Sequence, residues 1–186
     1  MTSPGPGHLR QAGPADAEAV ARLHADSWRR HYRGAYSDAF LDGDVQADRL
    51  AVWSERLLEI DVGAETLVAE QGGSLVGFVH VVFEEDPDLG ALIDNIHVDA
   101  GEQRRGVGTR LMARAAAAVI ERSPASGLYL WVLEQNKSAQ AFYEARDGRC
   151  VERAPVTAPG GVDGRVNGHP MKLRVVWSDL AVLVGG

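Results

Sequence analysis

The sequence predicts a single α/β domain (α+β in detail) with a mixed, mostly antiparallel sheet flanked by helices. Three observations carry that expectation. An apolar run at residues 92–98 leads through the Gly-rich QRRGVG, Gln103 to Gly108, into a helical run at 109–122. Two apolar runs at 66–70 and 75–83 meet at Gly72-Gly73, the signal of a hairpin. A chain of 186 residues, 45% of them hydrophobic, suffices for one good core and is short for two. Residues 9–186 are therefore expected as one domain, and residues 1–8, rich in Pro and Gly, as a frayed lead.

From Pro14 the pattern is helical, with Ala19, Val20, Leu23 and Trp28 as an apolar stripe and Asp16 placed to cap the helix or favour its N-terminus. A second helix is expected over 45–59. Between the two, SWRRHYRGAYSDAF concentrates Trp28, His31, Tyr32 and Tyr36. These aromatics suit two roles, packing the helices onto the sheet or shaping a substrate pocket. After the hairpin comes EEDPDLG, where Glu84, Glu85, Asp86 and Asp88 close one strand and turn to the next. Such a run suits a solvated turn, and Glu84 is also a candidate to attract an amine.

A strand at 91–98 follows and enters QRRGVG. Gly106 and Gly108 let the backbone turn tightly and approach a ligand closely, so that successive N–H groups and the N-terminus of the next helix face one anion. Arg104 and Arg105 add charge there. The run lacks the Lys-Ser/Thr of a P-loop, and Thr109, Arg110 and Leu111 stand where a dinucleotide fingerprint would need its third glycine. A strand-to-helix turn with no ligand is the alternative. In the helix after it, Val107, Leu111, Ala115 and Val119 recur every four residues, with Met112 and Ile120 beside them, and Ser123-Pro124 ends the run.

A buried strand is expected at 128–133 and a helix at 137–145, which Asn136 can cap. Tyr143 lies seven residues after Asn136, two helical turns, so both share a face. Strands at 150–157 and 171–177 enclose a Gly/Pro loop, 158–170, expected to be mobile. The closing WSDLAVLVGG is apolar enough to dock on the sheet or to join a second copy in a homodimer.

QRRGVG fits the Gln/Arg-x-x-Gly-x-Gly/Ala loop of the GNAT superfamily of acyl-CoA-dependent N-acyltransferases. LYLWVLEQNKSAQAFYEARDGRC, 128–150, resembles the same family's next strand and its Asn-started helix with a Tyr two turns on. The strong resemblance spans residues 92–150, roughly a third of the chain. It implies a sheet splayed at its central strands and acetyl-CoA as cosubstrate. It further implies that the N–H of Ile96 polarises the thioester carbonyl, that the backbone at His97 and Val98 holds the pantetheine arm, and that Gln103, Arg104, Arg105, Gly106, Val107, Gly108 and Thr109 surround the pyrophosphate. An oriented N–H of that kind contributes about 3 kcal/mol to a transition state. Asn136 would bond the cofactor arm, as an alternative to capping. Tyr143 would be the general acid that protonates the departing thiolate, since a phenol's pKa is near or somewhat above that of a thiol. By the same resemblance Trp28, Tyr32 and Tyr36 are acceptor-site candidates.

An attacking amine must lose a proton to a carboxylate, a histidine or a chain of water. Family members keep a Glu at points corresponding to Leu92 or Trp131, and neither residue can act as a base. Asp94 is expected to substitute, sharing a face with Ile96 by strand alternation, with His97, Glu84, Glu85 and Glu134 as the other candidates. Further departures are Ala100-Gly101 where Pro is frequent and Arg146-Asp147 where Leu-Gly is common. Both are expected to change packing more than chemistry.

Charge narrows the function. A net charge of -7 argues against a general nucleic-acid binder and tolerates a cationic amine. Lys137 and Lys172 are the only lysines, so the cations suit phosphate forks rather than amine chemistry. Cys150, the single cysteine, excludes an internal disulfide, fits a reducing cytoplasm and is expected as a buried thiol rather than a nucleophile. No apolar run is long enough to span a membrane, and the N-terminus lacks the apolar core of a secretory signal, so a soluble cytoplasmic protein is expected. The six histidines show no ligand spacing, so no metal is expected. The expected activity is acetyl transfer to a primary amine by direct attack in a ternary complex. Two rivals stand beside it: a CoA-binding sensor without turnover, and the same fold using another acyl-CoA.

Overall fold

In the computed structural model, which describes residues 7–185, the hairpin and the strand-loop-helix unit are parts of one sheet. β1 (His8–Gln11), β2 (Ala64–Gln71), β3 (Ser74–Asp86) and β4 (Gly90–Val98) form an antiparallel series. After β4 the chain crosses over through a helix, so β5 (Leu128–Leu133) returns parallel to it. β7 (Met171–Trp177) pairs antiparallel with β5, and β6 (Arg149–Pro155) forms the outer edge, giving the order β1-β2-β3-β4-β5-β7-β6.

The helices take the two faces as strand periodicity dictates. On one side α4 (Val107–Arg122) lays Leu111, Met112, Ala115 and Val119 over Val79, Val81, Ala91 and Ile93. α5 (Lys137–Glu144) and the short α6 (Ala181–Val184) extend this layer. On the other side α1 (Ala17–His31) and α3 (Val45–Arg56) bury Val20, Ala21 and Trp53 against Val68 and Phe78. Phe78 and Val79 thus face opposite layers, the period of two that a strand requires. Each fully buried side chain of this size contributes about 1.5–3 kcal/mol. A third cluster gathers Trp28, Tyr36, Phe40 and Leu133 beneath the turn holding α2 (Asp38–Asp42).

Several expectations shift. Residues 1–6 of the frayed lead lie outside the described residues, and His8 opens β1, which pairs along β2. Asp16 does not cap α1: its carboxylate accepts from Gly13 N–H and from Arg10. α3 stops at Arg56, because Leu57 is the last apolar residue facing the core while Leu58 and Ile60 stand exposed. Leu180 and Leu183 are buried in the α4 layer, so the closing segment docks on its own chain. Cys150 is exposed, since the edge strand β6 is covered on neither face. The 158–170 loop is fastened to the α1–α2 corner. Arg165 donates to Asp48 at 2.5 Å and lies over the Phe40 ring, Ser37 N–H donates to the Arg165 carbonyl, and Asn167 N–H donates to the Ala35 carbonyl. Among the described residues no helix is long and apolar enough to cross a membrane.

Two irregularities in β4 open the sheet. β4 and β5 pair only at Ala91 with Leu128, Leu92 with Tyr129 and Ile93 with Leu130, after which β4 has no partner on that side. On the β3 side the register slips where His80 faces Asn95 and Val81 faces Ile93, leaving Asp94 as the extra residue of a bulge.

Candidate active site

The gap beyond Ile93 widens into a cavity of about 580 Å³ bounded by β4, β5, α5, the start of α4 and the end of α1. Its floor is backbone. Asp99 N–H donates to the Val76 carbonyl at 2.8 Å, which fixes the phase of the antiparallel ladder. His97, two residues back and opposite Phe78, therefore spends its backbone groups on β3. Ile96 and Val98 alternate with it, so their N–H and C=O groups face the gap where β5 has departed. The backbone roles expected of Ile96 and Val98 thus have a geometric basis, whereas that of His97 does not.

The loop supplies a second set of free donors. Gly106 caps α4 with φ at 84°, a left-handed conformation that glycine adopts without strain. Its carbonyl accepts the first helical bond, from Arg110 N–H at 3.0 Å, so the N–H groups of Val107, Gly108 and Thr109 precede the ladder and have no helical partner. Together with the helix dipole they make a site for an anion. Gly108 is needed for a different reason. A Cβ there would stand 3.3 Å from Phe142 and 3.7 Å from Val98, in the space where loop and α5 meet. Gln103, Arg104, Gly106, Gly108 and Thr109 line the cavity. Arg105 is exposed and pairs with Glu102, and the side chain of Val107 is buried in the core.

α5 brings the remaining groups of this end. Asn136 Oδ1 accepts from Ala139 N–H at 3.1 Å, so it caps the helix, and its Nδ2 is left to donate to a ligand in the cavity it lines. The two readings of Asn136 are compatible. Tyr143 is buried, packed edge-on against Phe142 and Trp177, and also lines the cavity. Burial pushes its phenol well above the ordinary range, which holds it protonated.

At the other end the lining comes from side chains of three elements: Ser27, His31 and Tyr32 of α1, Asp94 and Asn95 of β4, and Trp131 of β5. Gln135 closes α1 onto the β5–α5 turn, its Nε2 donating to the carbonyls of His31 and Arg33. Burial raises the Tyr32 phenol to about 12. Asp94 does not share the face of Ile96. Across the bulge Ile93 and Ile96 both pack toward α4, whereas Asp94 Oδ2 accepts from Arg56 of α3 and from Asn95 Nδ2, each at 2.7 Å. His97 bonds Ser27 Oγ through Nδ1 at 2.7 Å and lies 4.6 Å from the ring of the fully buried His24. Burial lowers the His97 imidazole to about 3, which makes it a feeble base.

The other acceptor candidates fall outside the cavity. Trp28 and Tyr36 are buried in the aromatic cluster beneath α2, and Glu84 is exposed on the far part of β3. Glu134 is tied to Arg153. The cavity is also lined by His31, which stands among the aromatics of 27–40 expected to pack the helices or shape a pocket, and by Ser27, Phe142 and Arg146, which were not singled out as site residues. Of these last three only Arg146 left a trace in the sequence, as a charge where Leu is common. Among the described residues no three His, Cys, Asp or Glu are grouped to hold a metal ion.

The chain matches the model of the Acetyltransferase (GNAT) family over residues 21–148. It is 32% identical, over 143 residues, to a Mycobacterium tuberculosis protein described as a probable N-acetyltransferase, with 75% of this chain and 78% of that protein covered. Among solved structures it is similar to a GCN5-related N-acetyltransferase from Rhodopseudomonas palustris, with a TM-score of 0.70, 23% identity and 96% and 99% of the two chains covered. It is also similar to the PaiA N-acetyltransferase from Thermoplasma acidophilum in complex with coenzyme A, with a TM-score of 0.62, 18% identity and 89% and 96% covered.

Proposed function

The chain belongs to the Acetyltransferase (GNAT) family and is an acyltransferase enzyme, and from that premise we propose that it transfers the acetyl group of acetyl-CoA to a primary amine by direct attack in a ternary complex. One observation carries the reading: the free backbone edge of Ile96 and Val98, the unpartnered N–H groups of α4 and the Tyr143 phenol all meet in a single cavity. The pyrophosphate of acetyl-CoA rests on Val107, Gly108 and Thr109. Its pantetheine arm pairs with Val98 and with Asn136 Nδ2, and Ile96 N–H donates to the thioester oxygen as negative charge grows there.

The amine nitrogen attacks the acetyl carbon, the carbon–sulfur bond breaks, and the electron pair leaves on sulfur. An acceptor that arrives as ammonium gives one proton to Asp94 before it attacks and loses the second after attack, each passing directly or through water and on to solvent. Tyr143 donates its O–H to the departing thiolate and is reprotonated from solvent. A phenol is a weaker acid than a thiol and burial weakens this one further, so its hydrogen bond to sulfur carries most of the effect. The acceptor enters beside Ser27, His31, Tyr32 and Trp131, where its ammonium competes with Arg56 for Asp94.

That competition also favours a second reading. A carboxylate already held by Arg56 suits a site that binds CoA as a sensor and turns over only when an acceptor displaces that arginine. Thiol release from acetyl-CoA across a panel of small amines, amino acids and peptides separates the two. Release with at least one acceptor is expected, and binding of CoA with no release for any of them would select the sensor.

A further inference from the structure

The chemistry above leaves Arg146, one of the cations that line the cavity, unused. Arg146 follows α5 directly and its guanidinium is held in a fixed direction. Nη2 donates to Thr109 Oγ1 at 2.6 Å, Nη1 donates to the Phe142 carbonyl at 2.8 Å, and Cζ lies 3.7 Å from the centre of the Phe142 ring. Its main chain is fixed as well, because Trp177 Nε1 donates to the Arg146 carbonyl at 2.7 Å.

Nothing in that arrangement neutralises the charge. Both hydrogen-bond partners are neutral oxygens, and Nε is buried with no partner at all. Burial lowers the Arg146 pKa, the mark of a cation that has lost water without gaining an anion. A guanidinium has five N–H donors and stays charged, so three donors remain unspent. Covering the Phe142 ring does not by itself call for a charge, since an aliphatic chain would also shield it from water. Thr109 is the third helical residue of α4, which puts the guanidinium against the turn whose first three N–H groups are also unspent.

We infer that Arg146 is part of the diphosphate site, donating to a phosphate oxygen of acyl-CoA alongside the N–H groups of Val107, Gly108 and Thr109. The inference rests on reading the cavity as an acyl-CoA site. The backbone of the loop contributes donors that every residue type possesses, and Arg104 adds an exposed charge, whereas Arg146 adds a charge delivered from the turn after α5 and preset by Thr109 and Phe142. A charge-assisted contact of this kind shifts affinity by about tenfold or more.

The test compares three acyl donors in the intact protein: acetyl-CoA, 3′-dephospho-acetyl-CoA and S-acetylpantetheine, which lacks the diphosphate. In Arg146→Gln the kcat/KM for acetyl-CoA and for its 3′-dephospho form should fall together, each at least about tenfold more than that for S-acetylpantetheine. Arg146→Lys keeps the charge without the fork and should lose less, which preserves the test if the Gln variant folds poorly. Equal losses with all three donors would make Arg146 a merely structural residue and overturn the inference. A penalty that vanishes with the 3′-dephospho donor would assign Arg146 to the 3′-phosphate and overturn it too. Calorimetry of CoA with the unmutated protein tells the two levels apart: binding that the variant retains in full sinks Arg146 alone, and no binding by the unmutated protein sinks the reading of the cavity with it.

Discussion

The two ends of the cavity are made of different material. At the end proposed for the acyl donor the lining is main-chain N–H and C=O from Ile96 to Thr109 and side chains of residues 136–146, all within residues 96–146. At the end proposed for the acceptor it is side chains from α1, β4 and β5. That end is held together by contacts between distant parts of the chain, such as Gln135 to Arg33, 102 residues apart, and Arg165 to Asp48, 117 apart. A site made of backbone needs particular conformations, hence glycines at fixed places, and so leaves a motif. A site made of side chains on a scaffold can change one residue at a time and leaves none.

The contrast predicts graded losses. The largest is expected for Gly108→Glu, which places a side chain against Phe142 and a carboxylate in the anion site. CoA binding by calorimetry should weaken more than about a hundredfold, and retained affinity would break the assignment of the donor end. Tyr143→Phe removes only the phenolic hydroxyl, so kcat should drop by about a hundredfold while CoA affinity is largely kept. Turnover equal to that of the unmutated protein would reject the acid role. Asp94→Asn should cost about tenfold in kcat/KM for the amine, less than the Tyr143 change because water can also carry the proton. If its pH–rate profile is unaltered, Asp94 is an anchor for Arg56 and not a base.

The smallest effect concerns stability. His24 and His97 lie together beneath the acceptor end with pKa values lowered by burial, that of His97 to about 3. The unfolded chain therefore binds more protons than the folded one below about pH 6.5, so stability is complete above that pH and is lost as pH falls toward 3. Urea unfolding between pH 7.5 and 5 should show a slope of up to about 1.4 kcal/mol per pH unit for each histidine. His97→Asn should flatten it by one histidine's share, and an unchanged slope would place the proton uptake elsewhere.

The same contrast explains what could be read in the sequence. β4, β5 and β7 were legible within a residue, because short apolar runs bounded by Gly, Pro or Asn leave little choice. The loop and the Asn136–Tyr143 pair were legible because local geometry dictates them. Asp94 was placed on the wrong face because alternation assumes an unbroken ladder, and the bulge opposite His80 arises from pairing with β3 that no local pattern announces. Trp28 and Tyr36 looked like pocket walls because aromatic density is equally the mark of a core. The 158–170 loop looked free because its anchor, Arg165, finds Asp48 only in the folded chain.

The short seam between β4 and β5 has a further consequence. A sheet that parts at its centre has four edges instead of two, and the inner pair exposes the same kind of unsatisfied ladder that lets foreign strands add to a protein and start aggregation. The molecule guards its outer edges with Arg10 on β1 and with the charged, fully solvated β6. At the inner edge the extra residue of β4, Asp94, carries a carboxylate directly after the point where pairing with β5 ends. The bulge at Asp94 thus lies where the inner edge begins.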